Sequence, residues 1–244
     1  MQPRPNLLVE PFCGGATVSL TAAFERLVER CLMVELDHDV AAFWHCVLRH
    51  GEDLRGLVED FEPTRTNVYA LASEAPRDLL AHGFRTLVLN RTRRGGILAA
   101  GASLSRVGEN NKGVASRWYA QTLIRRLADI EDQSDRIAFC EGDGMAVLEA
   151  VADLPGTVAF VDPPYTAGGK SAGKRLYTHH VIDHRALFKT LAGSSVDFLM
   201  TYDKAPEIVE LIGEFGFHAA EVMMKNTHHS RLPELVISRR RLFS

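Results

Sequence analysis

Two stretches of this chain alternate short apolar runs with helix-periodic segments, and the stretch between them does not. That rhythm constrains the fold more than any other feature. Strand–helix–strand units with short connections build a parallel sheet with helices packed on its faces. Residues 6–10 read as a short buried strand that stops at Pro11 and the Gly14-Gly15 pair. The next helix is expected to bury a face made of Leu20, Phe24, Leu27 and Val28. Residues 31–36 read as a second strand, followed by Asp37 as a helix cap and by Val40, Phe43, Trp44, Val47 and Leu48 at helical spacing. The alternation resumes with strands at 136–139, 157–161 and 197–202, helices near 145–151, 184–191 and 206–215, and final strands near 218–224 and 234–242.

Between the two stretches, residues 51–135 show helical segments and two loops, one of them rich in glycine (Gly95, Gly96, Gly101), without strand–helix alternation. The expected organisation is therefore a discontinuous catalytic domain, 1–50 and 136–244, carrying a mainly helical insert at 51–135. Charge singles out the same insert. Nine basic residues lie between Arg85 and Arg126 against one acid, Glu109, a local charge of +8 in a chain of net charge −3. A positive field on an acidic body suits a phosphate-binding surface, though a basic run is also what a solvated face looks like.

No apolar run reaches the roughly 18 residues that span a bilayer, and the first residues lack a secretory pattern. The four cysteines are scattered without a Cys-x-x-Cys pair, so neither a disulfide framework nor a zinc site is indicated. Cytoplasmic placement, no membrane and no metal are the resulting expectations. His179, His180 and His184 stand near one another, but without cysteine or a paired-acid pattern they read as loop and capping residues. Gly169-Lys170-Ser171 echoes the end of a phosphate-binding loop, but Pro164 stands where its first glycine is required.

Four motifs carry chemistry. Glu10-Pro11-Phe12-Cys13-Gly14-Gly15-Ala16 joins the first strand to its helix, and its glycines let a ligand approach the backbone. A plain tight turn explains it as well. Glu35 ends the second strand, where an acid can accept from ribose hydroxyls. Asp143 follows a later strand and can accept from an adenine amine or simply cap a helix. The fourth motif, Asp162-Pro163-Pro164-Tyr165, is the most informative. A buried strand delivers an acid into a loop stiffened by two prolines. An aromatic amine is a poor nucleophile because its lone pair is delocalised. A carboxylate (Asp162) and a carbonyl (Pro163) accepting from its two N–H groups favour a pyramidal nitrogen. Tyr165 then stacks on a base that has left the duplex.

With these motifs the chain resembles the D12-class DNA adenine-N6 methyltransferases, the group containing the Dam methylases. The resemblance rests on Glu-Pro-Phe-x-Gly-Gly at Glu10–Gly15, Leu89-Asn90-Arg91 in the insert and Asp-Pro-Pro-Tyr at Asp162–Tyr165. Arg175-Leu176-Tyr177-Thr178, Thr201-Tyr202-Asp203 and Glu234-Leu235-Val236-Ile237 follow in the same order. It implies a Rossmann-like sheet binding S-adenosylmethionine, with a target-recognition insert, acting on double-stranded DNA. Glu10 to Ala16, Glu35 and Asp143 are then expected at the cofactor, and Asp162, Pro163, Pro164 and Tyr165 at the reacting amine. Asn90, Arg91, Arg93 and Arg94, with Lys170, Lys174 and Arg175 beside the catalytic loop, are expected at DNA; Arg91 alternatively ties the insert to an acid. After Asn90-Arg91, Thr92-Arg93-Arg94-Gly95-Gly96 replaces the Phe-Asn-Gly of many members, so a target sequence does not carry over. Many members also carry a Gly-Gly-Lys-like segment ahead of the first strand. Its absence before Glu10 leads to the expectation of weak cofactor binding, or of closure by DNA, a partner chain, upstream residues or another loop of the chain. Two other readings remain open on the sequence alone: methylation of another planar amine, such as cytosine N4, and an inactive DNA-binding subunit that needs a second chain.

Overall fold

The computed structural model describes residues 4–99, 102–107, 111–164, 182–225 and 231–242. These fall into two compact units. One is built from the described residues up to Leu36 and from Arg136 onward, the other from Asp37–Asp135.

The first unit is a seven-stranded sheet with strand order β3-β2-β1-β4-β5-β7-β6. Its strands are β1 (Leu7–Glu10), β2 (Arg30–Glu35), β3 (Ile137–Glu141), β4 (Thr157–Val161), β5 (Asp197–Asp203), β6 (His218–Lys225) and β7 (Arg231–Ser238). The first five run parallel, and β7 is antiparallel to both β5 and β6. β1 lies between β2 and β4, so the connections leave β1 toward one side of the sheet and return on the other. The crevice outside the carboxyl ends of β1 and β4 is the topological switch point, where sheets of this kind hold ligands. Parallel strands bury both faces, and Leu8, Val9, Met33, Val34, Val161 and Met200 are accordingly all buried.

The helices of this unit are α1 (Thr17–Phe24), α7 (Gly144–Ala150), α8 (His184–Gly193) and α9 (Pro206–Phe215). α8 and α9 place Leu187, Phe188, Leu191, Ile208 and Leu211 in one core with Phe198, Met200 and Tyr202 of β5. One expectation is corrected at α1. The helix stops at Phe24, and Phe24 and Leu27 are exposed. Its buried face is instead Ser19, Ala22 and Ala23, small residues that let the helix approach the sheet closely, with Val28 buried beyond its end. At the far edge, β7 ends at Ser238, short of the expected residue 242.

The second unit is helical: α2 (His38–Arg49), α3 (Gly51–Asp60), α4 (Arg65–Ser73), α5 (Leu79–Thr92) and α6 (Ala120–Glu131). It takes in α2, which the sequence rhythm groups with the sheet. The reason lies in α5: a Cβ on Gly83 would come within 2.4 Å of Cys46 Sγ and 2.8 Å of the Ala42 carbonyl, so only glycine admits this approach. Phe61 meets both Phe84 and Trp118 edge-on, and Arg55 of α3 pairs with Glu131 of α6.

Candidate active site

Along the carboxyl edge of the parallel strands, the chain places an acid at the end of each. Asp143 follows β3, Glu35 ends β2, Glu10 ends β1, and Asp162 follows β4. In sheet order these form one row, centred on the switch point. A row of carboxylates suits a ligand that carries positive charge.

The turn after β1 is fastened to β2. Cys13 N–H donates to the Val34 carbonyl at 2.9 Å, and Gly14 N–H donates to Glu35 Oε2 at 2.9 Å. Glu35 Oε1 accepts from Leu36 N–H at 2.9 Å. Gly14 sits at φ +45°, a conformation that favours glycine. A Cβ on Gly14 or Gly15 would meet no heavy atom within 4 Å, so the space over the turn is open. Ala16 takes φ 49° without the freedom of a glycine, a local strain of the kind found at functional turns.

Glu10 is 3% exposed and accepts from Ser19 N–H at 2.9 Å at the start of α1, whose N-cap Ala16 has no capping side chain. Burial pushes its carboxyl above the usual range, with the nearby charge of Asp162 adding to the rise. Burial also raises the Cys13 thiol, followed by the charges of Glu35 and Glu10, so Cys13 is a packing residue of this turn. Asp143 caps α7 through Met145 N–H at 2.9 Å, and Asp37 caps α2 through Asp39 and Val40 N–H. Gly142 N–H donates to the Glu35 carbonyl at 2.9 Å, which joins the Asp143 loop to the end of β2.

Asp162 is exposed, while Pro163 behind it is buried. Its Oδ1 accepts from the Thr201 hydroxyl of β5 at 2.5 Å. Glu234 of β7 pairs in register with Asp203, and its carboxyl is raised by burial and then by the charges of Asp203 and Asp162. On the buried side of β5, the Tyr202 hydroxyl lies 2.9 Å from His184 Nδ1. Burial lowers the His184 pKa.

The candidate DNA residues of the insert divide by role. Asn90 Nδ2 donates to the Gly96 carbonyl at 3.0 Å, and Arg93 Nη1 to the Leu98 carbonyl at 2.7 Å. Arg91 donates twice to the Arg117 carbonyl, at 2.9 and 2.7 Å. Arg117 Nη2 in return reaches the carbonyls of Asn90 and Arg93, each at 2.6 Å. Burial lowers the Arg93 pKa. These side chains build the loop. Arg94 differs: it is exposed, and its backbone N–H holds the Ser103 carbonyl at 2.9 Å while its guanidinium makes no hydrogen bond among the described residues. Exposed Arg106 and Lys112 stand on the same loop system, Lys112 over the Tyr119 ring. Tyr165, Lys170, Lys174 and Arg175 lie outside the described residues.

Arg117 carries no local sequence signal, and the Thr201-Tyr202-Asp203 segment, though it belongs to the resemblance, does not reveal the contact of Thr201 with Asp162. That contact is found only through strand register, since the residue opposite Asp162 follows from the pairing of β4 with β5. Arg117 is one of nine basic residues, and composition does not say which of them hold carbonyls.

A doubly wound sheet closed by an antiparallel strand, with a glycine turn and an acid–proline–proline loop at its switch point, defines a Rossmann-like fold with a ligand-binding crevice. The chain belongs to the D12 class N6 adenine-specific DNA methyltransferase family, which matches residues 3–226. It is therefore an adenine-specific DNA methyltransferase, with DNA as substrate and a methyl donor as co-substrate. No curated protein sequence matches the chain. Among solved structures it is similar to the rRNA methyltransferase aviRa from Streptomyces viridochromogenes, at 14% identity and TM-score 0.41, covering 96% of this chain and 76% of that one. It is also similar to the methyltransferase domain of bacterial CtHen1, at 7% identity and TM-score 0.37, covering 97% of this chain and 90% of that one. No helix among the described residues is long and apolar enough to cross a membrane.

Proposed function

We propose that the methyl donor is S-adenosylmethionine, held along the carboxyl edge of β3, β2 and β1, and that Asp162 receives the amine of an adenine turned out of double-stranded DNA. The observation that carries this reading is the row of acids Asp143, Glu35, Glu10 and Asp162 at the switch point. When bound, S-adenosylmethionine supplies a methyl group on a cationic sulfonium, so no metal is required for activation.

The donor fits the residues present. The open space above Gly14 and Gly15 leaves room for a ligand against the backbone. Glu35, oriented by two backbone N–H groups, accepts from ribose hydroxyls. Asp143 accepts from the donor's adenine amine, and Glu10 faces its ammonium group. Pro11, Phe12, Cys13 and Ala16 shape the turn that carries these contacts.

At the amine, Asp162 and the Pro163 carbonyl accept the two N–H groups, and the two prolines hold both acceptors in one orientation. Tyr165 stacks on the base. In the insert, Arg94 contacts DNA directly, while Asn90, Arg91 and Arg93 shape the loop that presents it; Lys170, Lys174 and Arg175 contact phosphates near the catalytic loop.

The test is Asp162→Ala, assayed with labelled S-adenosylmethionine and duplex DNA, followed by nucleoside analysis. The expected result is N6-methyladenine as the wild-type product and loss of turnover in the variant with DNA affinity retained. Turnover above roughly a tenth of wild type, a barrier change under about 1.4 kcal/mol, overturns the role of Asp162.

A further inference from the structure

We propose that Thr201 is a positioning residue for methyl transfer, its hydroxyl fixing the rotation of the Asp162 carboxylate. The inference rests on the reading of Asp162 as the group that receives the amine.

The argument starts from register. β4 and β5 pair in parallel, and their last matched pair is Val161 with Met200. One residue further, Asp162 and Thr201 face each other. β4 has ended at that point and the chain turns into Pro163-Pro164, whereas β5 continues to Asp203 and stays paired with β7, Thr201 opposite Val236. Asp162 has therefore left the ladder while Thr201 is still held by it. Alternation along β5 buries Met200 and Tyr202 on its other face and turns Thr201 toward the half-exposed edge. The hydroxyl meets Asp162 Oδ1 at 2.5 Å, within the short range of a hydroxyl donating to a carboxylate.

The surroundings give that bond a task. Glu10 on one side and Glu234 on the other both feel the charge of Asp162. A carboxylate among like charges tends to rotate toward water, and the aspartate χ2 torsion is broad. A hydroxyl holds one oxygen in place and adds no charge. A lysine or arginine there would hold the carboxylate too, but as an ion pair competing with the substrate amine. A threonine on a paired strand is thus a rigid and electrically neutral anchor.

The test uses the full chain with Thr201→Val, which keeps the shape and removes the donor, Thr201→Ser, which keeps the donor, and Asp162→Ala. Steady-state methylation gives kcat and KM for DNA and for S-adenosylmethionine, and thermal melting reports the fold. Thr201→Val is expected to lower kcat about ten- to a hundredfold, the range for a hydrogen bond to a charged group. Both KM values and the melting temperature should stay near wild type, and Thr201→Ser should recover most of kcat. Wild-type kcat in Thr201→Val beside an inactive Asp162→Ala overturns the role of Thr201 alone. An active Asp162→Ala overturns the reading of Asp162 and this inference with it. A joint fall of kcat and melting temperature that Thr201→Ser does not repair makes Thr201 a structural residue and also overturns the proposal.

Discussion

Glu35 accepts the Gly14 N–H at 2.9 Å, so the acid that ends β2 and the glycine turn that follows β1 form one unit. The same carboxylate also holds Leu36 N–H. Two backbone donors fix its plane before any ligand arrives, and this preorganisation is what a hydroxyl-binding acid needs.

Replacing Glu35 with alanine removes both the acceptor and the anchor of the turn. Glu35→Ala is expected to weaken S-adenosylmethionine binding at least about tenfold, or roughly 1.4 kcal/mol. Glu35→Gln keeps one oxygen acceptor and should lie between alanine and wild type. Calorimetric titration checks both, and an unchanged dissociation constant for Glu35→Ala removes Glu35 from the donor site.

Gly144 and Gly15 test the same region in opposite ways. A Cβ on Gly144 would fall 2.0 Å from the Pro11 carbonyl oxygen, so backbone must move to admit it. A Cβ on Gly15 meets no heavy atom within 4 Å. Gly144→Ala should therefore lower both melting temperature and methylation by displacing the turn at Pro11. Gly15→Ala should leave the melting temperature unchanged and, with the donor placed over this turn as proposed, weaken donor binding. Full donor affinity in Gly15→Ala would place the donor elsewhere.

The parts of this architecture that show in the sequence are those set by short-range physics. Residues 157–161 read as a strand because a parallel strand buries both faces and so becomes a short apolar run. Asp37 reads as a cap because its side chain bonds only two and three residues away. The face of α1 was hidden because a helix lying close to a sheet buries Ser19, Ala22 and Ala23, while the larger Phe24 and Leu27 face solvent. The row of acids was legible residue by residue, since each follows a recognisable strand. Its supports were not: Thr201 acts across strand register, and Arg117 acts by reaching the carbonyls of Asn90 and Arg93. Charge counting treats Arg91, Arg93 and Arg94 alike, although their hydrogen bonds separate them.

That separation is testable. Arg94→Ala should weaken DNA binding while leaving the melting temperature unchanged, because its guanidinium is exposed. If it contacts phosphate, the slope of affinity against salt falls by about 1; if it reads guanine, discrimination at one position falls by about 1–3 kcal/mol. Arg117→Ala should instead lower stability, because two partly buried carbonyls lose their donor. Filter binding across a salt series, with melting curves, distinguishes the two variants. Equal DNA affinity for Arg94→Ala and wild type excludes Arg94 from the interface.

The proposed role of Glu10 at the donor sets its stability cost against function. Its carboxylate is buried, and burial raises its pKa above the ordinary 4.5 of the unfolded chain. A raised acid favours the folded state fully below that unfolded value, and the contribution is lost as pH rises through the folded value. Ionising Glu10 therefore carries a desolvation penalty, only partly offset by the Ser19 N–H and the start of α1. Glu10→Gln removes the charge and keeps an oxygen for Ser19. It is expected to melt no lower than wild type at pH 7 and to lose the part of the pH dependence that belongs to this group. In the same variant, binding of S-adenosylmethionine should fall because the ammonium group loses its counter-charge. Melting curves between pH 4 and 8, beside calorimetric titration, read both effects. A variant that melts lower than wild type at pH 7 while binding the donor normally would make Glu10 a helix anchor with no part in the donor site.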